Sequence, residues 1–279
     1  MDNPQRKRWT REEDKLLASE YVYRDPKSIR QVAHKLNRSI RSVEHRITTL
    51  GLNVHNHHRN AMMLTKEPNV HLAYIVGVYL SDGSVYKNQF YLESVDRDFC
   101  QTTLSSLDKI LDGRLNKKIR EVDRAGRRRT YRIKVASSDL VTWLSVITDS
   151  KNRIPREWLG GNRDYMLALF AGLLDGDGYV SRRKGVLNKR AYSIGLCGHE
   201  LIYGAVRDYE WLAIELGIEY RKKYTKGGYG FVTYRFNNRS FLESGAFFTV
   251  RRKMRRIAEM RLMYGVRSTT TMTAPEESG

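Results

Sequence analysis

The sequence predicts an α/β protein: two αββαββα half-domains in tandem, related by a pseudo-twofold axis and preceded by a small all-α domain. Three observations predict it. Residues 75–83 (IVGVYLSDG) and 170–178 (FAGLLDGDG) are apolar segments that each end in Asp-Gly. Behind each segment the same order recurs: two short strands, a helix, two more strands and a closing helix. Residues 1–53, in contrast, carry only a helical period.

Taken in chain order, Thr10 and Glu13 have the spacing of a capping box, so a helix is expected from about Arg11 with Leu16, Leu17 and Tyr21 as its stripe. Asp25-Pro26 breaks it. A second helix carries Ile29, Val32, Ala33 and Leu36 on one face, and a third, from about Ile40 to Leu50, buries Val43 and Ile47. Residues 54–68 have no clean period and read as a linker; His55, His57 and His58 lack the partners of a metal site. The first half-domain is expected over 69–155, with helices at 70–82, 96–112 and 138–147 and strands at 84–88, 89–95, 117–123 and 130–137. The second is expected over 156–266, with helices at 164–177, 198–217 and 240–248 and strands at 178–183, 190–197, 218–224 and 231–238. Residues 267–279 read as a disordered tail.

Fifty Lys+Arg against 31 Asp+Glu give a net charge of +19 over 279 residues. That balance suits a polyanion, because each cation placed at a phosphate releases condensed counterions. No stretch approaches the ~18 apolar residues of a transmembrane helix, and the first residues (MDNPQRKRWT) lack the apolar core of a signal peptide. A membrane partner is therefore not expected; the cytoplasm of a bacterium or of a phage-infected host is. Cys100 and Cys197 support neither a disulfide framework nor a cysteine zinc finger.

The two apolar segments also carry the chemistry. Gly77 and Gly172 let two helix backbones approach closely. Gly83 and Gly178 are expected in the left-handed conformation that ends helices. Asp82 and Asp177 would then converge at paired C-terminal ends, where free carbonyls and the negative end of the dipole add to the carboxylates. Asp82, Asp177 and the carbonyl oxygens of Ser81 and Gly176 make a hard-oxygen set suited to Mg²⁺, the metal of two-metal phosphodiester hydrolysis.

Residues 170–178 closely resemble the nine-residue signature of the LAGLIDADG homing endonucleases, and 75–83 resemble a degraded copy, at half-domain spacing. The resemblance covers about residues 69–266. It departs at Leu80, where the family has its first Asp, and at Ser81, where the family has a small residue. The resemblance implies a single-chain, monomeric, Mg²⁺-dependent enzyme that cuts both strands of duplex DNA at a long pseudo-palindromic site, staggered across the minor groove. It implies that Asp82 and Asp177 are catalytic metal ligands, and that Lys151 and Lys253 match the basic residue beside the scissile phosphate. It implies further that each half forms a curved sheet lying in the major groove, with Arg120, Arg132, Lys134, Arg182, Arg190, Arg221, Lys223 and Arg235 as the DNA-facing set. Residues 9–52 resemble Myb/SANT-like helix-turn-helix domains in the pattern Trp9-Thr10, Glu13-Asp14, Val32-Ala33, Leu36, Arg38-Ser39, Val43, Arg46. Arg38, Arg41 and Arg46 are there the expected DNA contacts. The same scaffold also serves DNA-binding regulators without activity and RNA maturases; retention of both aspartates argues against the first, and a DNA-binding helix-turn-helix against the second. Neither an initial Cys or Ser nor a terminal His-Asn marks an intein junction, so a free-standing or intron-encoded protein is expected.

Overall fold

The computed structural model describes residues 9–20, 26–50, 63–112, 115, 118–186, 188–225 and 230–266. The chain divides into two compact units, Met1–Ala61 and Met62–Gly279. The three histidines at 55, 57 and 58, most of the expected linker and the tail 267–279 fall outside the described residues.

The first unit contains α1 (Arg11–Glu20), α2 (Pro26–Lys35) and α3 (Ile40–Thr49). The capping box forms: Thr10 N–H donates to Glu13 Oε2 at 2.9 Å and Glu13 N–H to Thr10 Oγ1 at 3.2 Å. Leu17, Val32, Ala33, Leu36, Val43 and Ile47 make the core, closed by Trp9, Leu16 and Ile29. Two of the expected DNA contacts are used inside the unit. Arg38 makes a forked pair with Glu13 (3.0 and 2.8 Å) and lies 4.2 Å over the Trp9 ring. Arg46 forks onto Asp14 at 2.7 and 2.5 Å. The acidic first turn of α1 holds these two, and of the three arginines only Arg41 is exposed. With Arg38 and Glu13 side chains only 6% and 13% accessible, truncation strands a carboxylate with little water around it. Arg38→Ala should destabilise this unit by about 2 kcal/mol, raising amide exchange in α2 and α3 by about 30-fold in the full-length protein; unchanged exchange would show the pair to be ornamental.

The second unit is mixed α/β. In order it has β1 (Met63–Leu64), α4 (Val70–Leu80), β2 (Ser84–Tyr86), β3 (Gln89–Ser94), α5 (Arg97–Ile110), β4 (Leu111–Asp112), β5 (Arg120–Val122), β6 (Thr130–Ala136), α6 (Ser138–Ile147) and α7 (Arg156–Leu159). It continues with α8 (Arg163–Gly176), β7 (Gly178–Arg182), β8 (Tyr192–His199), α9 (Tyr209–Glu215), β9 (Tyr220–Tyr224), β10 (Phe231–Phe236), α10 (Asn238–Glu243) and α11 (Arg251–Tyr264). Two four-stranded antiparallel sheets form, ordered β2-β3-β6-β5 and β7-β8-β10-β9, and β1 pairs with β4. The shared order is the pseudo-symmetry expected from the repeat.

Helices α4 and α8 cross at the centre. Residues 72–80 of α4 are buried all round, as an apolar helix must be. A Cβ on Gly77 would stand 2.0 Å from Leu169 O, and one on Gly172 2.4 Å from Tyr74 O. The expected left-handed caps do not occur: neither Gly83 nor Gly178 is among the positive-φ glycines. Their Cβ atoms would instead strike Val78 O at 2.7 Å and Leu174 O at 2.3 Å, so glycine is required there by space.

Two helices differ from expectation. Strand β8 runs on to His199 because Phe231 of β10 pairs with it, so α9 begins only at Tyr209, after a 3-10 turn at Gly204–Asp208. The helix expected at 240–248 is the shorter α10, and Gly245 follows at φ 83°. Helix α11 was not expected, although Lys253, Ile257, Met260 and Tyr264 have its period.

Candidate reaction centre

The crossing brings the ends of α4 and α8 together. A Cβ on Gly176 would lie 2.3 Å from Ser81 Oγ and 3.2 Å from Asp82 N. The Ser81 hydroxyl sits within 3.0, 3.2 and 3.3 Å of the carbonyls of Gly77, Val78 and Gly172 and donates into that group. It ties one helix end to the other, so only its carbonyl is placed for a ligand role. Asp82 directly follows that carbonyl, and Asp177 caps α8.

Among the described residues, neither the Asp82 nor the Asp177 carboxylate has a hydrogen-bond or ion-pair partner. Burial and the neighbouring Asp82 charge push Asp177 up to about 7, with Lys151 and Lys253 opposing. Asp82 keeps access to solvent, yet the protein mass around it still raises its pKa, opposed first by Lys253 and then by Lys151. The Asp82 charge and the lack of hydrogen-bond donors both disfavour the ionised form of Asp177.

The expected lysines stand beside it. Lys253, only 3% exposed, donates from Nζ to Leu174 O at 2.8 Å and Asp175 O at 2.7 Å. Lys151 Nζ donates to Ser81 O at 3.1 Å and Gly83 O at 2.6 Å. Each ammonium thus sits at the C-terminal end of one central helix and adds a donor to carbonyls at or just past its last turn. Burial lowers both pKa values, that of Lys151 to about 8.

The two lysines are delivered differently. Lys253 rides on the first turn of α11, which Asp175 holds. That fully buried carboxylate accepts from Thr249 N at 2.9 Å, Thr249 Oγ1 at 2.5 Å, Val250 N at 3.3 Å and Tyr74 Oη at 2.9 Å. Sequence reasoning passed over Asp175 as a site residue; its signal was Leu80, the apolar counterpart in the first repeat. Lys151 has no such clamp. It ends a run of non-glycine residues with positive φ, Asp149 (47°), Ser150 (52°) and Lys151 (74°). Such residues cost ~1–2 kcal/mol each, and strain of this kind persists where surroundings over-determine it. Here Ser150 N is bonded to Ser145 O, Lys151 N to Thr148 Oγ1 and Lys151 O to Ala205 N. Ser150→Gly should relieve one penalty, less the ~0.5–1 kcal/mol glycine adds to unfolded-chain entropy. The expected gain is ~0.5–1 kcal/mol, or 1–4 °C in Tm by calorimetry. A lower Tm would mean that the turn is not strained.

The strand registers sort the expected DNA-facing cations. In the first sheet Phe90, Leu92, Ile133 and Val135 point to the core, so Arg132 and Lys134, with Arg120 opposite Arg132, lie on the outer face. Glu93 on that face takes Arg132 (3.0 and 2.6 Å). In the second sheet Val232, Tyr234 and Phe236 point inward, which puts Arg235 and its partner Arg221 outward, together with Lys223 opposite Thr233. Arg182 is a correction. It shares the face of Val180, two residues before it, and so lies on the helix side, over the Tyr192 ring and 3.4 Å from Glu259. Arg190 lies in a 3-10 turn, Lys189–Ala191, and its side chain is outside the description.

No family model matches the chain. Two uncharacterized proteins of Methanocaldococcus jannaschii are 26% identical over 165 residues and 27% identical over 177, covering 56% and 61% of this chain. The chain spans less than two thirds of their length, 57% and 65%. Among solved structures, the homing endonuclease I-DmoI in complex with DNA and Mn is similar at 15% identity and TM-score 0.43, over 63% of this chain and 97% of that one. The N-terminal LAGLIDADG domain of DUF199/WhiA is similar at 11% identity and TM-score 0.43, over 67% and 80%. The homing endonuclease I-WcaI bound to its DNA recognition sequence is similar at 13% identity and TM-score 0.42, over 75% and 89%.

Proposed function

We propose that the second unit is a divalent-metal-dependent DNA endonuclease that cuts both strands of a long, pseudo-palindromic site as a monomer. One observation carries the reading: Asp82 and Asp177 stand at paired helix ends, unpartnered and with raised pKa values, beside the buried Lys253 and the half-buried Lys151. A stable fold has no need of such a pair. A hard cation would balance it.

The donor set fits Mg²⁺. Among the described residues no cluster of three or more His, Cys, Asp or Glu side chains occurs, but Mg²⁺ is commonly held by one or two carboxylates, with water and substrate phosphate completing the shell. Asp82 and Asp177 would hold it, with the carbonyls of Ser81 and Gly176 beside them; Ser81 O already accepts from Lys151. Bound there, the cation supplies an activated water and charge neutralisation at the leaving oxygen. Lys151 and Lys253 keep positive charge at the scissile phosphate, where preorganised charge acts most strongly. Arg120, Arg132, Lys134, Arg221, Lys223 and Arg235 on the outer sheet faces bind phosphates and base edges. The first unit adds a helix-turn-helix contact on one flank through Arg41.

Selection from a randomised duplex library tests the reading. With Mg²⁺, a defined sequence should be recovered with both strands cut, by one protein per duplex in sedimentation, and chelation should stop cutting but not binding. Sequences recovered bound and uncut would favour an inactive regulator.

A further inference from the structure

An apolar loop stands beside the centre and has no role in it. Leu201, Ile202 and Tyr203 are 53%, 61% and 39% exposed, and Phe231, paired with His199 just before them, is 50% exposed. Exposed large apolar groups gathered in one place on a soluble unit mark a contact surface.

The loop is held in place. Glu200 N donates to Gly230 O at 3.0 Å, and the N–H groups of Ile202 and Tyr203 both donate to His199 O, at 3.1 and 2.9 Å. A Cβ on Gly230 would come 2.7 Å from Leu201 Cγ, so glycine there leaves the leucine its position. The loop is also tied to the reaction centre. Cys197 N donates to Asp177 O at 3.2 Å just before the loop, and Ala205 N donates to Lys151 O at 3.0 Å just after it. The Tyr203 ring lies 4.9 Å from Lys151 Nζ. Phe231 and His199 alternate with Val232 and Gly198, and thus share the outer face with Thr233 and Arg235.

We propose that Leu201 and Ile202 form a wedge that enters the stacked bases of duplex DNA next to the cut phosphates. The proposal rests on the endonuclease reading. Arg221, Lys223 and Arg235 on the outer face of the same sheet suit a phosphate backbone, but aliphatic side chains find apolar partners in DNA only at base faces and sugar edges. Inserting such groups at a base step unstacks and kinks the duplex, at a few kcal/mol per step repaid by wider contact. The kink would press the scissile phosphates toward Asp82 and Asp177.

The test uses the full chain and a duplex recovered by the selection, carrying 2-aminopurine at successive positions across the cut, in chelator so that no cutting occurs. Wild type should raise fluorescence several-fold at one or two adjacent steps. The double variant L201S/I202S should lose that rise, bind about 10-fold more weakly and cut at least 10-fold more slowly, with an unchanged melting temperature. Ile214→Ser, at a 64% exposed apolar position on α9, should change none of these. Binding and cutting by wild type without a fluorescence rise would overturn the wedge and leave the endonuclease reading standing. Failure of wild type to bind any duplex would overturn both. A double variant that alters only self-association in sedimentation would assign the loop to a contact between copies.

Discussion

Replacing Asp177 with asparagine should abolish double-strand cutting, by on the order of 10³-fold, and should make the protein more stable at pH 8. The sign follows from the pKa. In the fold Asp177 titrates at about 7, above its ordinary value of 3.8. Between those values the native state keeps a proton that the unfolded chain releases, so stability falls as pH rises through this window, and the deficit is complete above pH 7. Asparagine carries no charge to desolvate. The variant should therefore melt above wild type at pH 8 and converge with it below pH 4. The difference should be on the order of 2–4 kcal/mol, the lower end reflecting residual solvation. Mg²⁺ should raise the wild-type melting temperature at pH 8, since it binds the native state alone, and should do so much less for Asp82→Asn or Asp177→Asn. A variant that melts below wild type at pH 8 would mean that Asp177 is stabilising and partnered, contrary to its unpaired position.

The second large effect concerns the helix crossing. Gly77→Ala should destabilise the second unit by about 3–5 kcal/mol, the upper range for single substitutions. The added methyl would stand 2.0 Å from Leu169 O and 2.9 Å from its carbonyl carbon. These are backbone atoms within a helix, so no rotamer change relieves the clash, and α4 must move off α8. Overpacking between side chains costs ~1–3 kcal/mol; a backbone collision exceeds it. The Ser81 bridge to Gly172 O and the approach of Asp82 to Asp177 are lost with it, so residual folded protein should also lack Mg²⁺-induced stabilisation. Denaturant titration gives the result, and a midpoint within error of wild type would contradict the crossing geometry.

The centre was legible because its determinants are local and repeated. Gly77 and Gly172, Asp82 and Asp177 recur at one register in two apolar segments, and tertiary structure had only to bring the segments together. Lys151 and Lys253 were reached only through the family resemblance. What was not legible depends on partners far along the chain. Arg38, in the turn before α3, and Arg46, on α3, read as cations available to DNA, and only the fold places Glu13 and Asp14 against them. Arg182 has the composition of a DNA contact, but register alone decides which face it takes, and one step in a strand reverses it. Gly83 and Gly178 fit the usual cap rule, yet steric contact with the helix before them sets their role. The helical pattern at 198–217 was overridden by pairing of β8 with β10 through His199, a long-range bond that no local propensity carries.

Paramagnetic mapping with Mn²⁺ tests most directly whether Asp82 and Asp177 form a cation centre. In ¹⁵N-labelled full-length protein at pH 8, substoichiometric Mn²⁺ should broaden the amides of Ser81 to Gly83 and Gly176 to Gly178 before any others. Asp82→Asn and Asp177→Asn should each weaken that broadening at both helix ends, since the carboxylates share one site. Broadening centred elsewhere, or left unchanged by either substitution, would contradict the assignment.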